Sequence, residues 1–169
     1  MRGRVRPRDP APNPSPEGEG GIRFAGYAAV FDRVDRGDDV VRGGAFAASL
    51  RARRAVPLLW QHRPGAVVGV IETLAEDARG LRVVARVTHP TAAGLVARGA
   101  LTGLSFGYRV RAARGARPRE LLALDLAEVS LVAVPMQPAA RVIAVESIDS
   151  MTRSASMAQQ IKGGWLCVS

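Results

Sequence analysis

The alternation of apolar and polar positions along the chain predicts short strands more often than helices. Ile22–Phe31 (IRFAGYAAVF) is an apolar run of strand length, and the charged stretch DRVDRGDD after it reads as a turn. Leu81–Thr88 (LRVVARVT) alternates with Leu81, Val83, Ala85 and Val87 on one face, the period-two signature of a strand. Val56–Trp60, Val67–Leu74, Leu101–Val110 and Leu122–Val134 read as further strands, with a tight turn at Glu76–Gly80. Two segments favour helix instead. Gly44–Arg54 places Phe46 and Leu50 at i, i+4 with arginines in its last turn. Thr91–Ala100 follows Pro90, although Gly94 and Gly99 weaken it. Many short strands, two small helices and tight turns predict a β-barrel or α+β domain rather than a doubly wound sheet.

The ends differ from the body. Residues 1–20 are rich in Pro, Gly and charge and predict a disordered N-terminal arm. They contain no apolar h-region, so they do not read as a secretory signal. Residues 21–145 form the expected single domain, and 146–169, polar and Ser-rich, read as a flexible tail. The 169 residues leave room for one domain plus tails. The 47% of hydrophobic residues can supply a core, but aromatics are only 5%, so Ala, Val and Leu must do most of the packing. The single cysteine, Cys167, excludes a disulfide framework and points to a reducing compartment. No apolar run approaches the roughly 20 residues of a membrane span, so the expectation is a soluble intracellular protein.

The formal charge of +9 raises the question of nucleic acid. All basic residues but Lys162 are arginines, and they are spread along the chain. The densest group, Arg109, Arg111, Arg114, Arg117 and Arg119, has few aromatics nearby and reads as a solvated loop. At most, this charge implies weak, nonspecific attraction to nucleic acid.

Three segments carry candidate chemistry. In Gly103-Leu104-Ser105-Phe106-Gly107-Tyr108 an extended backbone puts Leu104, Phe106 and Tyr108 on one face and Gly103, Ser105 and Gly107 on the other. A hydroxyl flanked by bare backbone is accessible to a substrate chain; the competing reading is a strand with glycine bulges and an incidental serine. The pattern is also G-x-S-x-G. A nucleophile elbow needs a helix after the serine and its histidine later in the chain, and neither holds here. A serine nucleophile needs a base. The only histidines are His62, at the end of an apolar strand in Trp60-Gln61-His62-Arg63-Pro64, and His89, before Pro90, where capping is the ordinary role. Glu128 lies in the apolar stretch Leu126–Val134, where a carboxylate is costly to bury without a partner. Asp125 is its competitor; in a continuous strand it would face the other side. An edge strand with Glu128 in water is the alternative.

Together these segments resemble the prohead proteases of tailed bacteriophages. The resemblance spans about Phe24–Val145 and is carried by FAGYAAVFDRVDRGDDVVRGGAFAASL, LLWQHRP, GLSFGY and LDLAEVSLVAVPMQPAARV in that order. It implies a mostly antiparallel β-barrel surrounded by a few short helices, as in the related herpesvirus capsid-maturation proteases. By position it implies a catalytic set of His62, Ser105 and Glu128. Glu128-Val129-Ser130-Leu131 matches the strand in which the herpesvirus enzymes carry a second histidine. Oxyanion donors are implied near Pro135–Arg141. The implied activity is that of a serine endopeptidase acting on the scaffolding segment of the major capsid protein and on itself. The implied setting is the assembling procapsid in a bacterial host's cytoplasm, with no metal or cofactor. A second copy of the chain is a further candidate partner. Ser154–Ala158 has residues small enough for self-cleavage. The rival readings are a catalytically silent capsid assembly factor of the same fold and a basic nucleic-acid-binding barrel.

Overall fold

The computed structural model describes residues 21–52 and 54–148. The arm read at 1–20 and everything from 149 on, including Cys167 and Ser154–Ala158, lie outside the described residues. The elements in chain order are β1 (Gly21–Val30), β2 (Asp39–Val41), α1 (Ala47–Arg51), β3 (Leu58–Trp60), β4 (Val67–Glu76), β5 (Gly80–Val87), α2 (Pro90–Ala97), β6 (Gly103–Arg114), β7 (Arg119–Val132) and β8 (Val142–Ile148). None of the described helices is long and apolar enough to cross a membrane.

The strands form where the alternation places them. Leu81, Val83, Ala85 and Val87 of β5 are all fully buried. Each such Leu or Val removed from water contributes about 1.5–3 kcal/mol. Phe24, Leu58, Leu104, Leu124 and Leu131 complete this core from β1, β3, β6 and β7. Helix α1 is shorter than the predicted 44–54. The residues before it close i→i+3 turns (Ala45 N–H to Arg42 O, Ala47 N–H to Gly44 O) instead of helical bonds. It is held by Phe46, which is buried edge-on against Phe106 with ring centroids 5.1 Å apart. Pro90 opens α2, and His89 caps it, its Nδ1 accepting from the Ala92 N–H at 3.4 Å.

The eight strands make one sheet in the order β2-β7-β3-β4-β5-β1-β8, with β6 paired on the other side of β7. Five of its seven ladders are antiparallel and two are parallel, so what needs correcting in the expected mostly antiparallel barrel is its closure. The fold is rich in strands with few helices, but the sheet is mixed and open. Strand β7 has its hairpin partner β6 along one edge, so its other edge takes strands distant in sequence. Both run parallel to it: β2 at its start (Asp39 opposite Arg119) and β3 at its end (Trp60 opposite Leu131). Among the described residues the isolated bridge Gly103–Arg141 is all that links the outer side of β6 to the start of β8, so the described strands do not close into a ring by a ladder.

Two further differences matter. The arginine group is not a loop: β6 runs to Arg114 and β7 starts at Arg119, which leaves only a four-residue turn. Four of these arginines are spent on ion pairs within the chain. Arg111 pairs with Asp125, Arg114 with Glu120, Arg117 with Asp38 and Arg119 with Asp39. Strands β2 and β8 were not foreseen. The first is three residues in a charged stretch; the second is an exposed edge that extends through Glu146–Ile148, residues read from sequence as the start of the tail.

Candidate active site

The site is built on β7 and the two strands that flank its C-terminal half. Leu59 of β3 lies opposite Ser130 of β7 on one side, and Ser105 of β6 lies opposite the same Ser130 on the other. Gly107 is opposite Glu128. Because facing residues share a side of the pleat, Ser105, Gly107, Glu128 and Ser130 all point away from the core. Leu104 is buried in that core, and Phe106 and Tyr108 pack against it, as the alternation predicted.

His62 enters this face from a turn. Beyond Trp60 the chain reverses, with Gln61 at φ +50° and His62 at φ +57°, and the Arg63 N–H donates to Trp60 O at 2.9 Å. Two consecutive left-handed residues closed by that bond make a type I′ turn, which is strained for non-glycine residues. Pro64-Gly65, with Gly65 at φ +81°, is the pair that a following type II turn demands. The reversal is anchored to β7: the Gln61 N–H donates to Leu131 O at 2.9 Å and the His62 N–H to Ser130 Oγ at 3.1 Å.

The imidazole then meets Glu128, with His62 Nδ1 2.6 Å from Glu128 Oε1. A proton on Nδ1 makes the ring the donor to the carboxylate and leaves Nε2 as an acceptor. The second carboxylate oxygen, Oε2, accepts from Ser130 Oγ–H at 2.6 Å. The Glu128 side chain is 12% exposed and that of His62 43%, so the pair has a buried end and a solvent end. Ser105 is 6% exposed. Among the described residues its hydroxyl makes no hydrogen bond to His62; such bonds commonly tighten only when substrate is bound.

Glu128 therefore has the partner that its burial requires. Asp125 does not contact His62 and is held by Arg111, the hydrogen bond that chiefly lowers its pKa. The opposite facing expected for Asp125 in a continuous strand does not hold. The β6–β7 register shifts between Gly107 and Tyr108, and this β-bulge leaves Ala127 unpaired. Beyond it Asp125 faces Arg109, on the same side of the sheet as Glu128. Its ion pair, not its parity, keeps it from the histidine. His89 serves as a helix cap and lies against Trp60 with ring centroids 6.1 Å apart. The connection 133–141 borders the start of β6, where Leu104 N–H donates to Ala140 O at 2.9 Å.

Sequence reading missed Ser130, which touches both members of the pair. The signal was present: Glu128 and Ser130 are two apart in a strand and so share a face. It also missed why Gly107 is glycine. A methyl carbon there would lie 2.5 Å from Glu128 Oε1 and 3.0 Å from its Cγ.

Ser105 thus lies on the strand next to the one that carries the carboxylate of the histidine–carboxylate pair, and the fold is that of the herpesvirus proteases. The structure of varicella-zoster virus protease superposes with a TM-score of 0.50 at 16% identity, covering 76% of this chain and 64% of that one. The profile of the caudovirus prohead serine protease family matches residues 10–154, and the chain belongs to that family. It is 32% identical over 148 residues to the prohead protease of Enterobacteria phage HK97, covering 80% of this chain and 64% of that protein. It is also 37% identical over 59 residues to the capsid scaffolding protein of Equine herpesvirus 1 (strain Ab4p), covering 35% of this chain and 9% of that protein. The chain thus spans less than two thirds of the length of either relative.

Proposed function

We propose that the chain is a serine endopeptidase of capsid maturation, with Ser105 as nucleophile, His62 as general base and Glu128 as its orienting carboxylate. The observation that carries this reading is the 2.6 Å bond between His62 Nδ1 and Glu128 Oε1, made on the strand adjacent to Ser105.

In the acylation step His62 Nε2 takes the proton of Ser105 Oγ–H as the oxygen bonds to a peptide carbonyl carbon. Glu128 fixes the tautomer and stabilises the imidazolium without taking its proton. Backbone N–H groups of the Pro135–Arg141 connection hold the oxyanion, each such donor being worth about 10²–10³ in rate. The imidazolium returns its proton to the leaving amine as the C–N bond breaks. Water, activated by the same histidine, then releases the acyl group. Among the described residues strand β6 pairs with β7 on one side, and beyond Leu104 no described strand pairs with its outer edge, along which an extended substrate would lie. The proposed substrates are the scaffolding segment of the major capsid protein and the protease itself, inside the procapsid in the host cytoplasm.

Co-expression with the major capsid protein of the same genome, as wild type and as S105A, tests this through intact masses. Trimming by the wild type alone is the expected result. A capsid protein that assembles but stays full length with both would replace the enzyme by an assembly factor of the same fold.

A further inference from the structure

We infer that Ser130 is a fourth, positioning member of the site, a role that rests on the protease reading above. Its hydroxyl is completely buried and makes two bonds with different partners. It donates to Glu128 Oε2 at 2.6 Å and accepts the His62 backbone N–H at 3.1 Å. A hydroxyl has one proton and two lone pairs, so both bonds form at once with the polarity required. Each bond restrains a different degree of freedom. The first fixes rotation of the carboxylate plane, so that Oε1 is presented to the imidazole. The second ties the His62 backbone itself to β7, one residue beyond the last ladder bond, which runs from the Gln61 N–H to Leu131 O. Ser130 also lies directly opposite Ser105. One hydroxyl thus references the base, the carboxylate and the nucleophile-bearing strand to a single point.

Charge-assisted bonds of this kind are among the stronger ones, and a carboxylate left with an unsatisfied buried oxygen will rotate to find another donor. Removing the hydroxyl should therefore slow the chemical step and leave binding alone. The experiment labels Ser105 of the full-length chain with a fluorophosphonate probe at a series of concentrations. It reads the limiting rate and the half-saturating concentration separately. S130A is expected to lower the limiting rate about ten- to a hundredfold, by analogy with removing the hydrogen-bond partner that orients a metal-binding side chain. The half-saturating concentration should stay unchanged, and S130T, which keeps the hydroxyl, should recover most of the rate. In an E128A background the same S130A change is expected to have a clearly smaller effect, because only the bond from the His62 N–H then remains to be lost. A purely structural role would slow both backgrounds equally and lower the thermal midpoint in proportion. That result, or unchanged labelling of S130A, overturns the inference while the protease reading stands. A wild type that never labels removes both. Should S130A not fold, S130C fills the same space with a poorer donor and is read by the same criteria.

Discussion

Glu128 occupies the space that a side chain at Gly107 would fill. The two residues are opposite each other on β7 and β6, and a β-carbon at Gly107 would stand 2.5 Å from Glu128 Oε1, the atom that holds His62. The glycine is there for room, and the room belongs to a carboxylate. G107A is expected to push Glu128 off its histidine while leaving the core face of β6 intact. Its labelling or cleavage rate should fall at least about tenfold, within the range expected when a catalytic group is displaced by an ångström or so. The thermal midpoint should move little, because Gly107 lies on the side of the sheet away from the core. A variant that works at the wild-type rate would show that Glu128 does not need this position.

Glu128 and Asp125 share a side of the sheet but differ in partner, which makes them a controlled pair. E128Q keeps the shape and gives up the charge. By analogy with loss of the carboxylate in a catalytic triad, its rate should fall by about 10³–10⁴. D125N breaks only a contact with the exposed Arg111 and should remain within about threefold of wild type, as expected for an exposed ion pair. Parallel kinetics on the two variants check this. The reverse order would move the third role to Asp125.

The Ser105 strand was legible because period-two alternation around two glycines leaves little choice of face. His62 and Glu128 were legible only jointly: a lone histidine and a lone buried glutamate each have an ordinary explanation, and it is the resemblance to the prohead proteases that pairs them. What sequence could not supply was register. The bulge at Ala127 reverses the parity expected of Asp125 in a continuous strand, and no local composition marks it. Strand β2 escaped because Asp39, Val40 and Val41 gain strand geometry from β7, some 80 residues later, and not from their own pattern. Strand β8 escaped because both of its faces are largely exposed, so it has no amphipathic signature. The arginine hairpin was misread for a related reason. Its ion pairs hide alternation behind uniform charge.

The Asp39 cluster predicts how stability depends on pH. Asp39, nearly buried at the start of β2, accepts from Arg119 Nε at 2.8 Å and Nη2 at 2.7 Å, and from Tyr108 O–H at 3.1 Å. The Arg119 bond chiefly holds its carboxyl below the ordinary value of 3.8, while burial, reinforced by the Asp39 charge, pushes the Tyr108 phenol from 10.0 up to about 12. The signs are opposite. For Asp39, depressed on folding, the contribution is complete above about pH 4 and is lost as the pH falls through the folded value. For Tyr108, raised on folding, it is complete below pH 10 and is lost as the pH rises towards 12. D39N is expected to cost about 1–3 kcal/mol at pH 7, as for hydrogen bonds to a charged group. The gap to wild type should narrow as the pH falls from about 4 through the folded value, because the wild type then progressively loses what the ionised Asp39 contributes. Urea unfolding of both proteins at pH 7 and pH 3 measures that gap. A gap of equal size at the two pH values would mean that the aspartate acts through shape and not through charge.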